Sequence, residues 1–151
     1  MDYKRFGNSV VVRLERGEEL ISCLTQLCQK EDIRLAQISG LGAMDYVKAG
    51  IFYVEQKQYH QYELKGEMEI VSLTGSATRK DGEVYLHLHI AVSGEDGAVK
   101  GGHLLIGRNH NGMGVEASDG LGRVVDPALV VSAVMGELDD PHLPDSMETT
   151  A

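Results

Sequence analysis

Tryptophan is absent from this chain, phenylalanine occurs twice, and aromatic residues make up only 5% of its 151 positions. Any core must therefore be assembled from aliphatic side chains. Cysteine is scarce as well. Cys23 and Cys28 are five apart inside one predicted helix, a spacing that fits neither a CxxC motif nor a disulfide framework. Both are expected to be small core side chains in a reducing cytosol. No apolar stretch approaches the ~18 residues of a membrane span, and no apolar run follows Lys4-Arg5 to make a secretory signal. A cytoplasmic location with no membrane partner follows as the expectation. Basic residues are also few: 14 Lys and Arg against 23 Asp and Glu give a net charge of −9 and a pI near 5.0. That balance argues against a surface that neutralises many phosphates. Two thirds of the charge lies in residues 124–151, which hold six acids and no Lys or Arg, so the first 123 residues carry only −3. The argument against nucleic acid is weaker than the total suggests, yet no basic patch argues for it.

What is present is glycine, 18 residues, and an apolar fraction of 42%. These predict many tight turns and one folded domain. We place that domain at residues 1–138 and read 139–151 as a solvated acidic tail. Ser9 to Leu14 reads as a strand. Glu18 and Glu19 open a helix, where acids suit the positive end of the dipole. Leu20, Ile21, Leu24, Leu27 and Cys28 form its apolar face, and it ends near Lys30. Ile33 to Ile38 reads as a strand running into the small-residue bend Ser39-Gly40-Leu41-Gly42-Ala43, which lacks the spacing of a phosphate-binding loop. Strand patterns follow at Val47 to Val54, Tyr59 to Leu64, Met68 to Thr74, Val84 to Val92 and Val99 to Ile106, with turn residues at Gly66, at Lys80-Asp81-Gly82 and from Gly94 to Gly97. Closely spaced strands with no helices between them predict antiparallel meanders. The fold class is thus α+β, a mostly antiparallel sheet with one main amphipathic helix. Residues 107–122 are glycine-rich with little periodicity. The run from Val124 to Leu138 suits either a helix capped by Asp126-Pro127 or a strand carrying Val130-Val131.

The chemistry concentrates in one hairpin. Along Val84 to Val92, Leu86, Leu88, Ile90 and Val92 share one face while Tyr85, His87, His89 and Ala91 share the other. A turn at Glu95-Asp96 would pair residues whose numbers sum to about 190–192, setting His103 across from the segment His87 to His89. Directly opposed residues have Cβ atoms ~4.5–5.5 Å apart, so three imidazoles can converge, with Gly101 and Gly102 leaving room for a ring or a neighbouring backbone. Three histidines on rigid strands suit a divalent metal such as zinc and leave a fourth position open; zinc, nickel, cobalt and iron are all compatible with such a donor set. Three unrelated histidines are the alternative. His60, His110 and His142 have no comparable partners and read as surface residues. Glu67 and Glu69 share a strand face; if that face adjoins the histidines, one of the two carboxylates is a candidate fourth ligand, ligand orienter or general base, Glu69 being the candidate base, and if it does not, they are a pair of solvated strand carboxylates.

The run Gly66-Glu67-Met68-Glu69-Ile70-Val71-Ser72-Leu73-Thr74-Gly75, then His87-Leu88-His89, then Gly101-Gly102-His103-Leu104, together with Arg16-Gly17-Glu18-Glu19 and Ile38 to Ala43 upstream, resembles the PPC (plants-and-prokaryotes-conserved) domain over about residues 8 to 107. Met68 stands where the family's Gly-x-aromatic-Glu-Ile motif has an aromatic residue. The resemblance implies an α+β fold, assembly as a homotrimer, and a metal site, zinc by expectation, at His87, His89 and His103. Prokaryotic members carry a DNA-binding label. The AT-hook of plant members, an Arg-Gly-Arg segment, has no counterpart here. The stretch from Arg108 to Gly114 also departs from the regular β-structure with which the family continues. Three functional readings follow: a PPC-like metal-binding domain with a DNA-binding or regulatory role, a metal-dependent hydrolase or lyase using metal-bound water with Glu69 as base, and a structural trimer with an incidental metal. No small-molecule ligand is identified by the residues themselves.

Overall fold

A computed structural model describes residues 1–110 and, beyond them, strand backbone at 117–118, 124–125 and 129–135. The chain runs β1 (Asp2–Phe6), β2 (Ser9–Leu14), α1 (Leu20–Lys30), β3 (Ala36–Leu41), β4 (Ala43–Tyr53), β5 (Gln58–Lys80), β6 (Glu83–Ser93), β7 (Val99–Asn109), β8 (Ala117–Ser118), β9 (Val124–Val125) and β10 (Leu129–Met135). An eight-stranded sheet takes the order β1-β2-β10-β3-β5-β4-β7-β6, every pair being antiparallel, and β5 also pairs with β6. The α+β class with a single helix is as expected among the described residues. The proposed tail at 139–151, most of the glycine-rich segment and the Asp126-Pro127 cap lie outside the described residues.

The helix starts one residue later than the acids suggest. Glu19 is its N-cap, with extended backbone, and its carboxylate accepts from the amides of Ile21 at 3.0 Å and Ser22 at 2.7 Å. These are two of the donors that a helix start leaves without partners. The same carboxylate accepts from the Gly107 amide at 3.1 Å, so the cap also ties α1 to β7. Leu20, Cys23, Leu24, Leu27 and Cys28 are buried, each leucine stabilising the fold by roughly 1.5–3 kcal/mol. Cys23 rather than Ile21 completes the buried stripe, because Ile21 lies at its rim. Both cysteines are free and buried, as their spacing implied.

The largest departure from the sequence reading is β5. Two strands with a break at Gly66 were expected; one 23-residue strand is present. Gly66 does take a positive φ of 106°, but it does so inside a bulge. Met44 pairs with Met68 and Tyr46 with Lys65, so Asp45 of β4 faces both Gly66 and Glu67. A bulge bends a strand without ending it. β5 can therefore pair with β4 along its first half and with both β3 and β6 along its second. Because β7 joins β4 to β6, the pairing closes in a ring through β4, β5, β6 and β7. Two further differences concern the ends of the chain. β1, absent from the sequence reading, pairs with β2. The ambiguous apolar run after Val124 is strand at β9 and β10, and β10 fills the gap between β2 and β3.

Side chains alternate between the two faces of this sheet except at bulges, one of which inserts Val71 between the pairs Ile70–Val92 and Ser72–Ala91. Ala36 and Ile38 of β3, Leu73 and Ala77 of β5, and Leu88, Ile90 and Val92 of β6 are buried in the core, which also receives α1. Two glycines permit the tight packing of the inner layer: a Cβ on Gly75 would overlap the His87 carbonyl oxygen, and one on Gly101 would overlap that of Ile90. Gly75→Ala is expected to cost about 2–3 kcal/mol of stability by overpacking against backbone. Gly94→Ala, with nothing within 4 Å, should stay within about 0.5 kcal/mol of the parent. Urea unfolding of the two variants measures both, and equal midpoints would refute the packing argument.

Candidate metal centre

The β6–β7 hairpin turns where the sequence placed it. The Gly97 amide donates to the Gly94 carbonyl at 3.0 Å, Gly97 takes φ 73°, and the Asp96 carboxylate accepts from the Ala98 amide at 3.0 Å. The ladder then runs Ser93 to Val99, Val92 to Lys100, Ala91 to Gly101, Ile90 to Gly102 and His89 to His103, a sum of 192 within the expected range. His87 precedes His89 by two positions on β6 and so shares its face. That face is the one turned away from α1 and the core.

The three rings meet there. Centroids are 5.2 Å apart for His87 and His89, 5.2 Å for His87 and His103, and 5.8 Å for His89 and His103. One nitrogen from each ring lies within 4.8 Å of the others. A tetrahedral metal with bonds of ~2.0–2.1 Å needs ligand nitrogens about 3.3 Å apart, which small rotations of exposed or half-buried rings can supply. His87 and His103 are half-buried and His89 is exposed. Burial pushes the His103 imidazolium below its ordinary pKa of 6.5, and the neighbouring His87 and His89 add to the effect. A neutral ring is the form that ligates a metal, so the donor set, its spacing and the direction of the His103 shift all fit a divalent cation.

The surroundings are aromatic on one side and small on the other. The Tyr59 ring lies 5.6 Å from that of His103, and the Tyr62 hydroxyl donates to the Gly101 carbonyl. A Cβ on Gly102 would stand 2.6 Å from the Gly50 carbonyl oxygen, so this glycine, like Gly101, makes way for neighbouring backbone, one of the two uses expected of the pair. An open depression of about 230 Å³ borders the cluster, lined by Ser72, His89, Ile90, Ala91, Gly101 and Gly102.

Glu69 stands apart. It is exposed and pairs with Ser93 and Ala43, whereas His89 pairs with Thr74. Five strand residues, roughly 16 Å, separate the two positions, and among the described residues the cluster consists of the three histidines alone. Glu67 instead meets His110. His60 is exposed as expected, and His142 lies outside the described residues. His110, a surface residue by its sequence context, is instead largely covered: its side chain is 11% exposed, Nδ1 is 3.5 Å from Asp45 and Nε2 is 3.4 Å from Glu67. Asp45 also accepts from Arg108 at 2.5 Å. The bulge places Asp45 and Glu67 there, and nothing in the spacing of these residues signals it.

A model of the Plants and Prokaryotes Conserved (PCC) domain matches residues 1–116. The chain belongs to this family. Solved structures agree. A plant- and prokaryote-conserved (PPC) protein from Pyrococcus horikoshii is 32% identical, with a TM-score of 0.69 over 90% of this chain and 82% of that one. A "putative DNA binding protein" from Bacteroides thetaiotaomicron is 27% identical, with a TM-score of 0.75 over 89% and 82%. A "metal-containing protein" from Archaeoglobus fulgidus is 26% identical, with a TM-score of 0.70 over 89% and 84%. No curated protein matches the chain. Among the described residues of this PCC domain no helix is long and apolar enough to cross a membrane.

The lowered His103 pKa makes a signed prediction for the metal-free PCC protein. The folded state binds protons less readily at this ring than the unfolded chain does, so stability rises with pH. Its contribution is complete above about pH 6.5, the unfolded value, and is lost as the pH falls towards the lower folded pKa. Thermal unfolding of chelator-treated protein between pH 8 and 5 should show a falling Tm, with a shallower fall in His103→Gln. Parallel slopes for the two proteins would refute the assignment.

Proposed function

We propose that this protein holds one divalent metal, zinc as the family resemblance implies, on His87, His89 and His103, and that the metal centre carries its function as a regulatory or ligand-binding protein. The convergence of three ligating nitrogens within 4.8 Å carries the reading, and the metal-containing Archaeoglobus relative supports it. Three protein ligands leave a coordination position for water or an exogenous ligand. Elemental analysis of purified protein should give about one metal per chain, and His87→Ala/His89→Ala should give almost none. Substoichiometric metal in both proteins, even after incubation with zinc, would end this reading.

We also propose that the chain acts as a homotrimer. Leu41 and Val71 are exposed apolar side chains, 68% and 55% accessible, that a subunit contact would cover. Light scattering should return three times the chain mass, and a monomer mass would refute the assembly.

The Bacteroides relative's name extends DNA binding to this protein as a second reading. The charges give it little support. Arg34 and Arg79 reach Asp32, Arg108 reaches Asp45, and Lys65 reaches Glu63, so several cations already face carboxylates. A mobility-shift titration is expected to show retention at low salt at most, with none at physiological salt. Sequence-dependent retention at physiological salt would instead establish the DNA reading.

A further inference from the structure

The sheet register surrounds the histidines with hydroxyls. Thr74 of β5 pairs with His89, Ser76 with His87 and Ser72 with Ala91. On the far side of β5, Ser39 of β3 pairs with Thr74. Ser72, Thr74 and Ser76 alternate outward on one strand, on the same face as His87 and His89. Directly opposed residues have Cβ atoms ~4.5–5.5 Å apart, so Thr74 and Ser76 each stand beside a proposed metal ligand. The depression next to the cluster is lined by Ser72 and His89 together with Ile90, Ala91, Gly101 and Gly102. Thr78, one pair beyond Ser76, donates to the Tyr85 carbonyl at 3.5 Å. Ser39, Ser72, Thr74 and Ser76 make no such bond among the described residues, so their hydroxyls are available to a ligand.

Charge narrows the class of that ligand. Three neutral imidazoles leave a divalent metal with both positive charges uncompensated. Apart from His89, itself a proposed metal ligand, no ionisable side chain lines the depression, so the metal is the charge that an incoming ligand meets. A half-buried cation favours an anionic partner, and hydroxyl donors beside it favour one with more than one oxygen. The volume of about 230 Å³ suits a molecule of a few heavy atoms rather than a nucleotide.

Building on the metal reading above, we propose that the open coordination position binds a small oxyanion, a carboxylate or inorganic phosphate. One oxygen sits on the metal, and a second accepts from the hydroxyls of Ser72 and Thr74. Thr74 and Ser72 are then binding residues whose role is separate from holding the metal.

Calorimetric titration of zinc-loaded protein, in its native assembly and with metal content measured first, tests this with oxalate in one arm and inorganic phosphate in the other. Saturable binding in at least one arm is expected, and the arm that binds more tightly identifies the oxyanion class. Ser72→Ala/Thr74→Val should retain full metal content and weaken binding about tenfold or more, the size of a lost hydrogen bond to a charged group. The chelator-treated protein should bind neither anion. Full metal content with no binding in either arm, or unchanged affinity in the double variant, would overturn the oxyanion site while leaving the metal reading standing. Absence of metal after zinc loading would overturn both. Should the double variant fold poorly, Thr74→Ser, which keeps the hydroxyl, and Thr74→Val, which removes it while keeping the shape, separate packing from hydrogen bonding: equal affinities in those two would refute the role of Thr74.

Discussion

β6 and β7 approach so closely at Gly101 that only a hydrogen fits between its α-carbon and the Ile90 carbonyl. The absence of a side chain at Gly101 permits the close pairing in which His89 lies across from His103. Side chains alternate with a period of two, so a slip of one residue would turn His103 towards the core and Leu104 towards solvent. The tight turn from Gly94 to Gly97 fixes the same register from the other end. The buried row of Leu88, Ile90, Val92 and Leu104 supplies the hydrophobic cost of leaving it. The imidazole cluster is therefore a consequence of strand pairing. It rests on a layer that α1 and β5 keep packed from behind, which is the rigid support that a site built from side chains needs.

The long strand β5 extends that support to the rest of the sheet. Its bulge at Gly66 lets one strand pair with β4, β3 and β6 in turn, so the outward hydroxyls of its second half come to lie beside the histidines. The same bulge brings Asp45 and Glu67 to His110 at the opposite end of β4. One irregularity thus separates two polar clusters of different character. At the first, three like donors converge and burial disfavours the charged form of His103. At the second, an imidazole stands between the carboxylates of Asp45 and Glu67, a contact that joins β4, β5 and the end of β7.

Much of this was legible in the residues. The alternation in Val84 to Val92 identified the histidine face, and the glycines around Glu95-Asp96 located the turn, because both signals act within a few residues of each other. The helix stripe was visible for the same reason, although the competition between Glu18 and Glu19 for the N-cap was not: the Glu18 carboxylate is taken by the Met1 ammonium at 2.6 Å. Gly66 was misread as a strand end because positive φ serves turns and bulges alike. His110 was misread as exposed because its partners come from β4 and β5, more than forty residues away in sequence.

The sequence by itself determined the local geometry: which side chains share a strand face, where hairpins close, and hence that His87, His89 and His103 can meet. These depend on backbone periodicity and turn chemistry, which act over short distances. The tertiary structure alone decided that β10 would pair between β2 and β3, that β5 would run unbroken, and that Glu69 would stand about five strand positions from the level of the histidines. It also decided that Ser72, Thr74 and Ser76 would take the place beside them. Those outcomes depend on which edges pair across long stretches of chain, and such pairing is chosen by the packing of the whole core rather than by the residues of any one segment.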